Sequence, residues 1–437
     1  MKMASDNPIL NNPYREPTLH YATNLEGELD YESIVKGRRL FTGTAQAIPV
    51  RQREQRSLLE INQVVAASHG EHLVNVLRRE VRTWREGGYQ NTTRVTRELL
   101  HFWFKNDERD FTQSLFFAQQ EAIEVAIFLN EIADRSNVGQ RILRDLEVAQ
   151  SFTGNLPRLG FKMATGTGKT VVMGALIVYH FFNRLEYRND TRFADNFLLV
   201  APGITIRDRL AALRVDNRTG IEAADYYHVR FLIPPGQNWR REMRQLNAKL
   251  VIVNYQALQP RTLQGNKRAP GDGKIGRDGR RVEAKEDISH VLRRILSNFK
   301  KGSRLLVIND EAHHCYLPKQ DDRTAEGEDA KKENERAAVW FTGLREITQR
   351  FEVRSIYDLS ATPYYLTGSG HDPYTLFEWV VSDFGLIEAI ESGLVKIPYL
   401  PVSDDTQAIE MPVLKNLYQH VKKELPKAGQ KHTRAQA

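Results

Sequence analysis

The sequence predicts an α/β protein: a parallel β-sheet flanked by helices, with a mainly helical segment ahead of it. Three observations carry that prediction. From about residue 159 onward, short apolar runs alternate with helical periodicity, as strand, crossover helix and parallel strand require. The first of those runs leads into Met163-Ala164-Thr165-Gly166-Thr167-Gly168-Lys169-Thr170 and then an apolar helix, the strand, loop and helix order of a phosphate-binding loop. A later run ends on two adjacent acids, Asp310 and Glu311, which an apolar strand carries when a cation or a chemical task requires them.

Composition sets the bounds. A chain of 437 residues has room for about two or three domains. Hydrophobic residues at 41% and charged residues at 27% match ordinary globular usage, and no apolar run approaches the roughly 18 residues of a membrane span. No membrane role is expected. The stretch Met1–Asn12 is polar, without an apolar signal core, and the single cysteine, Cys315, excludes an internal disulfide framework, so a reducing cytoplasm is the expected home. The net charge of +7 permits a polyanionic partner without requiring one.

Residues 1–114 read as an arm followed by a helical accessory segment. From Asn7 to about Gln52 the chain is rich in Pro, Asn and Gly and lacks sustained periodicity, which predicts an extended arm. From Ser57 to Trp84, Leu58, Ile61, Val64, Leu73, Leu77 and Val81 recur at helical intervals and predict a helical pair; a further helix begins near Thr93. Arg82, Arg85, Arg94 and Arg97 are expected on its surface, as a solvated face more than as phosphate contacts. Leu115–Ile123 stands at the head of a long amphipathic helix reaching about Asp134. Within it Gln119 offers an amide with both donors and an acceptor, the complement of an adenine edge, so it is expected to read the base of ATP.

Residues 115–402 form the predicted nucleotide domain, and 403–437 a linker or tail. Five strands are expected: Leu159–Met163, Phe197–Ala201, Leu250–Asn254, Leu305–Asn309 and Ser355–Leu359. In an open α/β sheet their carboxyl ends converge on one crevice. At the loop, Gly166 and Gly168 permit a tight turn that aims the N–H groups around Thr165 and Thr167 at phosphate oxygens, while Lys169 and Thr170 serve the β/γ-phosphates and Mg²⁺. One departure is visible: the general pattern begins with Gly, and Met163 stands in its place. Asp310 is expected to hold Mg²⁺, partly through water, and Glu311 to orient and deprotonate an attacking water. The competing reading of the acids is a plain helix N-terminus. The adjacent His313 and His314 lack a third ligand at useful spacing, which argues against a metal site. Ser360 and Thr362 close the fifth strand with hydroxyls that can reach the acidic motif, and Pro363 imposes an extended conformation before it. Gln259–Asp287, Gly-rich and basic, and Asp321–Glu335, of mixed charge, are expected as surface loops. Glu283-Ala284-Lys285 after Asp278 superficially matches a metal-dependent nuclease and is rejected, because Gly and Arg stand where strand formers are needed.

Taken in order, Gln119, Met163–Thr170, Ala201-Pro202-Gly203, Asp310–His313 and Ser360–Thr362 resemble superfamily-two helicases and translocases of the DEAH type. More narrowly the chain resembles the R (Res) subunit of type III restriction enzymes, through Asn7-Pro8-Ile9 to Glu16-Pro17-Thr18, Phe116–Ile123, Leu199–Asp208 and Ile387–Tyr399. The resemblance implies a first RecA-like motor domain with ATP and Mg²⁺ as cofactors. It implies that Lys169, Asp310, Glu311 and His313 are catalytic, that Ser360 and Thr362 couple hydrolysis to movement, and that Pro202, Gly203, Thr205, Arg207 and Tyr255 face double-stranded DNA. A modification (methyltransferase) subunit is a further partner it allows. Motors of this class complete the ATP cleft with a second RecA-like domain, in cis or in trans, that supplies an arginine. No Gln-x-x-Gly-Arg-x-x-Arg pattern follows Thr362 and no nuclease segment is found, so the chain is expected to be the front half of such a motor, with weak or incomplete hydrolysis by itself. The rival expectation is a truncated nucleic-acid-binding fragment without productive ATPase or nuclease activity. A small-molecule kinase is disfavoured by the acids and histidine at 310–313.

Overall fold

The computed structural model describes residues 8–23, 29–42, 72–106, 109–110, 113–151, 153–215, 225–261, 286–300, 302–318, 328–366, 369–371 and 375–396. The chain opens on an antiparallel pair, β1 (Leu19–Thr23) and β2 (Leu29–Lys36). Among the described residues four helices follow: α1 (Leu73–Glu86), α2 (Arg94–Phe104), α3 (Phe117–Glu131) and α4 (Asn137–Ser151). Thr93 starts α2 by accepting the Thr96 N–H, a side-chain cap for one of the helix's unpaired donors. The sheet and its crossovers then alternate: β3 (Arg158–Met163), α5 (Lys169–Glu186), β4 (Asn196–Ala201), α6 (Ile204–Leu210), α7 (Tyr226–Val229), α8 (Gln237–Met243) and β5 (Leu250–Asn254). After them come α9 (Ile288–Leu296), β6 (Arg304–Asp310), α10 (Glu328–Arg350), β7 (Glu352–Ser360), β8 (Val380–Phe384) and α11 (Leu386–Glu391).

Six strands pair in the order β5-β4-β6-β7-β3-β8, every pair parallel, with helices on both faces. This is the RecA-like arrangement. Along β4, Phe197, Leu199 and Ala201 enter one core, while Leu198 and Val200 enter the other, as a strand's period of two dictates. Because both faces are covered, such strands are continuous apolar runs. Helix α5 is buried without interruption from Val171 to Asn183, so its apolar residues occupy all sides and it lies as a central rod under α2 and α3. Each such buried Leu, Val, Ile or Phe contributes about 1.5–3 kcal/mol.

A polar ladder crosses the inner strands. Arg158 on β3 and Asp358 on β7 are both buried and meet at 2.6 Å, with the guanidinium over the Trp379 ring at 4.3 Å. The same carboxylate accepts from Trp379 Nε1 at 2.8 Å and from Asn309 on β6 at 2.7 Å. Leaving any one of these unpaired would strand a buried charge or amide, so the ladder ties β6, β7 and β3 to one register.

The five expected strands are present, extended by up to three residues at their ends, and β5 has the expected bounds. Several expectations need correction. β8 is a sixth strand, and α3 is not amphipathic, since nearly all its side chains are buried. Residues 328–335 of the expected second loop are the first turns of α10. Arg85 is not a surface cation: it binds Glu124 at 2.7 Å and Glu16 at 2.9 Å, while Arg82 pairs with Glu16. Most of Gln259–Asp287, with the rejected nuclease match, lies outside the described residues, as do Ser57–Gly70, the first part of the expected helical pair, and 397–437. No described helix is long and apolar enough to cross a membrane.

One buried group sets a pH response. His180 on α5 accepts the Ala194 N–H through Nδ1 at 3.3 Å and reaches Tyr357 Oη through Nε2 at 3.1 Å. Burial, with the Arg354 charge, lowers its pKa to about 3. Between that value and the ordinary 6.5 the unfolded chain binds a proton that the folded chain refuses, so stability falls as pH drops below about 6.5. At pH 5 the loss from this residue is about 2 kcal/mol, and urea unfolding at pH 7 and pH 5 should give a smaller difference in His180→Gln than in the parent.

Candidate functional site

The loop after β3 is shaped by two glycines. Gly166 and Gly168 have φ of +90° and +92°, the left-handed region where a Cβ is costly. At Gly168 space forbids one as well, since a Cβ would stand 2.1 Å from Gln119 Nε2. Thr167 closes the turn, donating its N–H and its Oγ1 to the Ala164 carbonyl at 3.2 and 2.7 Å. Met163 explains its own departure from the pattern: it is a buried β3 residue in register with Phe384, with no positive φ, so glycine is not required there. Thr165 and Gly166 are exposed, and Lys169 and Thr170 open the 18-residue α5, whose unpaired N–H groups and dipole favour an anion.

Gln119 lies in the first turn of α3 and is buried. Its Nε2 donates to the Thr167 carbonyl at 3.0 Å and its Oε1 accepts the Phe116 N–H at 3.1 Å. The amide therefore braces the loop's backbone from behind.

The acidic pair reaches the loop from β6, with the end of β7 lying between. Asp310 is buried. Burial first, and the Glu311 charge second, raise its pKa, against the opposing pull of Lys169 and of Arg209, whose Nη2 stands 3.4 Å from Oδ2. Glu311 takes a left-handed conformation, φ 50° and ψ 50°, costing a non-glycine residue on the order of 1–2 kcal/mol. That turn brings its Oε1 to 3.1 Å from Lys169 Nζ. His313 Nδ1 lies 2.9 Å from Ser360 Oγ, which also accepts the Thr362 N–H at 3.1 Å. Burial, with the charges around it, pushes His313 down to about 3, so the ring is neutral near pH 7 and its 3.6 Å approach to Glu311 is not an ion pair. Among the described residues no group of three or more His, Cys, Asp or Glu could hold a metal by itself.

The residues expected to face nucleic acid lie along the neighbouring strand ends. Gly203 and Thr205 border the exposed start of α6; Pro202 is buried and its carbonyl accepts Arg336 Nη2 at 2.9 Å. Arg207 binds Asp208 at 2.7 Å and lines a recess of about 320 Å³ with Asn254, Gln256 and Arg261. Tyr255 stacks on Trp340 and lies under the Arg336 guanidinium, 5.0 Å away. Arg336 also pairs with Glu333, which contacts His314 at 3.0 Å, so α10 links these residues to the acidic turn.

Sequence reasoning missed Arg209, Arg336 and Glu333. The first is one cation in Ile204–Leu210 with nothing local to distinguish it; Glu333 lies in the stretch Asp321–Glu335 expected to be a loop, and Arg336 directly follows that stretch with no signal of its own. A separate cleft of about 470 Å³, lined by Phe41, Lys162, Thr362, Asp383 and Leu386 among others, opens beside Thr362 and does not include the phosphate loop.

The family model described as type III restriction enzyme, res subunit, matches residues 114–365, more than half of the chain. No curated protein and no solved structure matches it.

Proposed function

The chain belongs to the family of type III restriction enzyme res subunits, and from that premise we propose that its sheet is an ATP-binding motor domain whose hydrolysis drives movement along double-stranded DNA in the complete protein. The observation that carries the reading is the meeting of Lys169, at the head of α5, with Glu311, at the end of β6, 3.1 Å apart and beside the buried Asp310. In this reading the backbone from Thr165 to Gly168 cradles phosphate oxygens. Lys169 leaves Glu311 for the β/γ-phosphates, and Glu311, so released, takes a proton from the attacking water. The Asp310 carboxylate at the end of β6 and the Thr170 hydroxyl at the head of α5 are hard oxygen donors of the kind that fits Mg²⁺. When bound, Mg²⁺ neutralises charge on the β- and γ-phosphate oxygens. Asp310 and Thr170 would hold it, Asp310 partly through water. In this reading Ser360, hydrogen-bonded to His313 and to the Thr362 N–H, and Thr362 pass a change at the acidic turn to the next strand end.

Gly203, Thr205 and Arg207 offer backbone, hydroxyl and guanidinium groups toward DNA, and Pro202 and Tyr255, both held by Arg336, support them at the same strand ends. The domain forms one wall of the cleft, and a second RecA-like domain, in cis or in trans, supplies the other; a methyltransferase subunit is a compatible further partner. The test is Mg²⁺-dependent ATP turnover with and without double-stranded DNA. DNA is expected to raise the rate severalfold at low salt, with the effect fading as salt weakens phosphate contacts. ATP turnover indifferent to DNA, with no DNA binding at low salt, would remove the motor reading and leave a plain nucleotide hydrolase.

A further inference from the structure

We propose that the N-terminal arm mounts the phosphate loop, with Arg38 and Arg39 as positioning residues for nucleotide binding; this rests on the ATP-site reading above. Both residues lie outside the stretch 114–365 that carries the family likeness.

Two routes run from the arm to the loop. The first reaches its root. Ala164, the first loop residue after β3, donates its N–H to the Phe384 carbonyl at 2.9 Å. Phe384 ends β8, which among the described residues is an edge strand with a partner on one side only, so its end needs another anchor. The buried Arg38 guanidinium supplies one, donating to the Asp383 carbonyl at 3.0 Å, and Arg78 of α1 donates to the same carbonyl at 2.6 Å. Arg38 is itself held in a fork by Glu121 of α3, at 2.5 and 2.9 Å, and by Glu388 of α11 at 2.8 Å. A guanidinium fixed by two carboxylates has little freedom, and the carbonyl it grips is one residue from the one that holds Ala164.

The second route reaches the loop's exposed tip. The buried Glu391 carboxylate accepts Arg39 Nη2 at 2.7 Å and the Tyr21 N–H of β1 at 3.0 Å. Its carbonyl accepts the N–H groups of Leu10 and Asn11 at 2.7 and 2.9 Å. The chain then turns through Gly393, where a Cβ would meet Ile9 of the arm at 3.0 Å, to Val395. Val395 is the side chain beside Gly166: a Cβ on that glycine would lie 3.8 Å from Val395 Cγ2. The arm therefore acts on the first residue of the loop through one ionic cluster and on its tip through another. A phosphate cradle depends on N–H donors placed within a few tenths of an ångström, so loosening either route should show in nucleotide affinity.

A role confined to stability would lower the melting temperature of a variant and leave nucleotide binding intact. The experiment compares the parent, Arg38→Met, Arg39→Gln and Lys169→Ala, with Leu99→Ala as a control for plain destabilisation. Leu99 is a buried core residue of α2, a helix that packs on the far end of α5 through Thr96 and Asn183. Mg·ATP affinity is read by calorimetry, and the rise in Tm on adding Mg·ATP is read alongside it. Arg38→Met and Arg39→Gln are expected to bind about tenfold more weakly or worse and to lose most of the ligand-induced rise. Leu99→Ala should melt earlier but bind as the parent does. If folded Arg38→Met and Arg39→Gln both keep the parental affinity while Lys169→Ala loses it, the arm only stabilises and the proposal is overturned alone. If the parent binds no Mg·ATP, the ATP-site reading fails and takes this inference with it. Should Arg38→Met not fold, Arg39→Gln, whose side chain is partly exposed, decides the matter.

Discussion

Lys169→Ala is expected to lower Mg·ATP affinity by about two to four orders of magnitude, since an ammonium that bonds two phosphate groups contributes about 1.5–3 kcal/mol per bond. Two effects act in the same direction. Direct contact with the β/γ-phosphates is lost, and the carboxylates lose a cation that stands 3.1 Å from Glu311 and opposes the rise in the Asp310 pKa. Without it Asp310 ionises less readily, and an acid that holds its proton is a poor Mg²⁺ ligand. The fold should tolerate the change, because a partly exposed ion pair contributes little to stability. Titration calorimetry in Mg²⁺ checks this, and equal affinities for the two proteins would remove the loop from the nucleotide site.

How much of this was legible in the sequence differs by residue. β5 was read with its observed bounds because Leu250–Val253 is an apolar run closed by Asn254, and the loop because its glycines and Lys169 follow a strand directly. β8 was missed because Val380–Phe384 carries Ser382 and Asp383 in its middle. Asp383 can be buried only because Lys162, at 2.7 Å, and Arg78, at 3.6 Å, meet it, and those partners are far away in the chain. The same physics hid the character of α3. Glu121, Glu124 and Glu131 look like a wet face in Phe117–Glu131, yet each is buried against long-range partners: Arg38 for the first, Arg85 and Tyr89 for the second, Thr96 and Tyr179 for the third. Periodicity reports which residues are apolar, and it cannot report which charges will be neutralised by another segment. Gln119 is the intermediate case. Its place near the loop was legible, whereas its use as a brace depends on the closeness of α3 to Gly168.

Glu311→Gln is expected to slow ATP turnover by about 10²–10⁴-fold, the usual contribution of a positioned general base, while leaving Mg·ATP affinity equal to the parent's or somewhat tighter. The substitution keeps length and shape, so the amide oxygen can still accept from Lys169 and the left-handed backbone is no more strained than before. What it removes is the capacity to take a proton and one negative charge. That charge contributes to the raised Asp310 pKa, second only to burial, so its loss lets Asp310 ionise more easily and hold Mg²⁺ at least as well. Lys169→Ala thus weakens binding and Glu311→Gln does not, although the two side chains touch, a contrast that a merely structural ion pair would not produce. His313 cannot substitute as the base through Nδ1, which is already committed to Ser360. Single-turnover hydrolysis at saturating ATP, paired with calorimetry, reads both quantities on one preparation. A Glu311→Gln protein that hydrolyses at the parental rate would place the base elsewhere or make the residual turnover uncatalysed by this site, and the chain would then be a nucleotide-binding fragment and no motor.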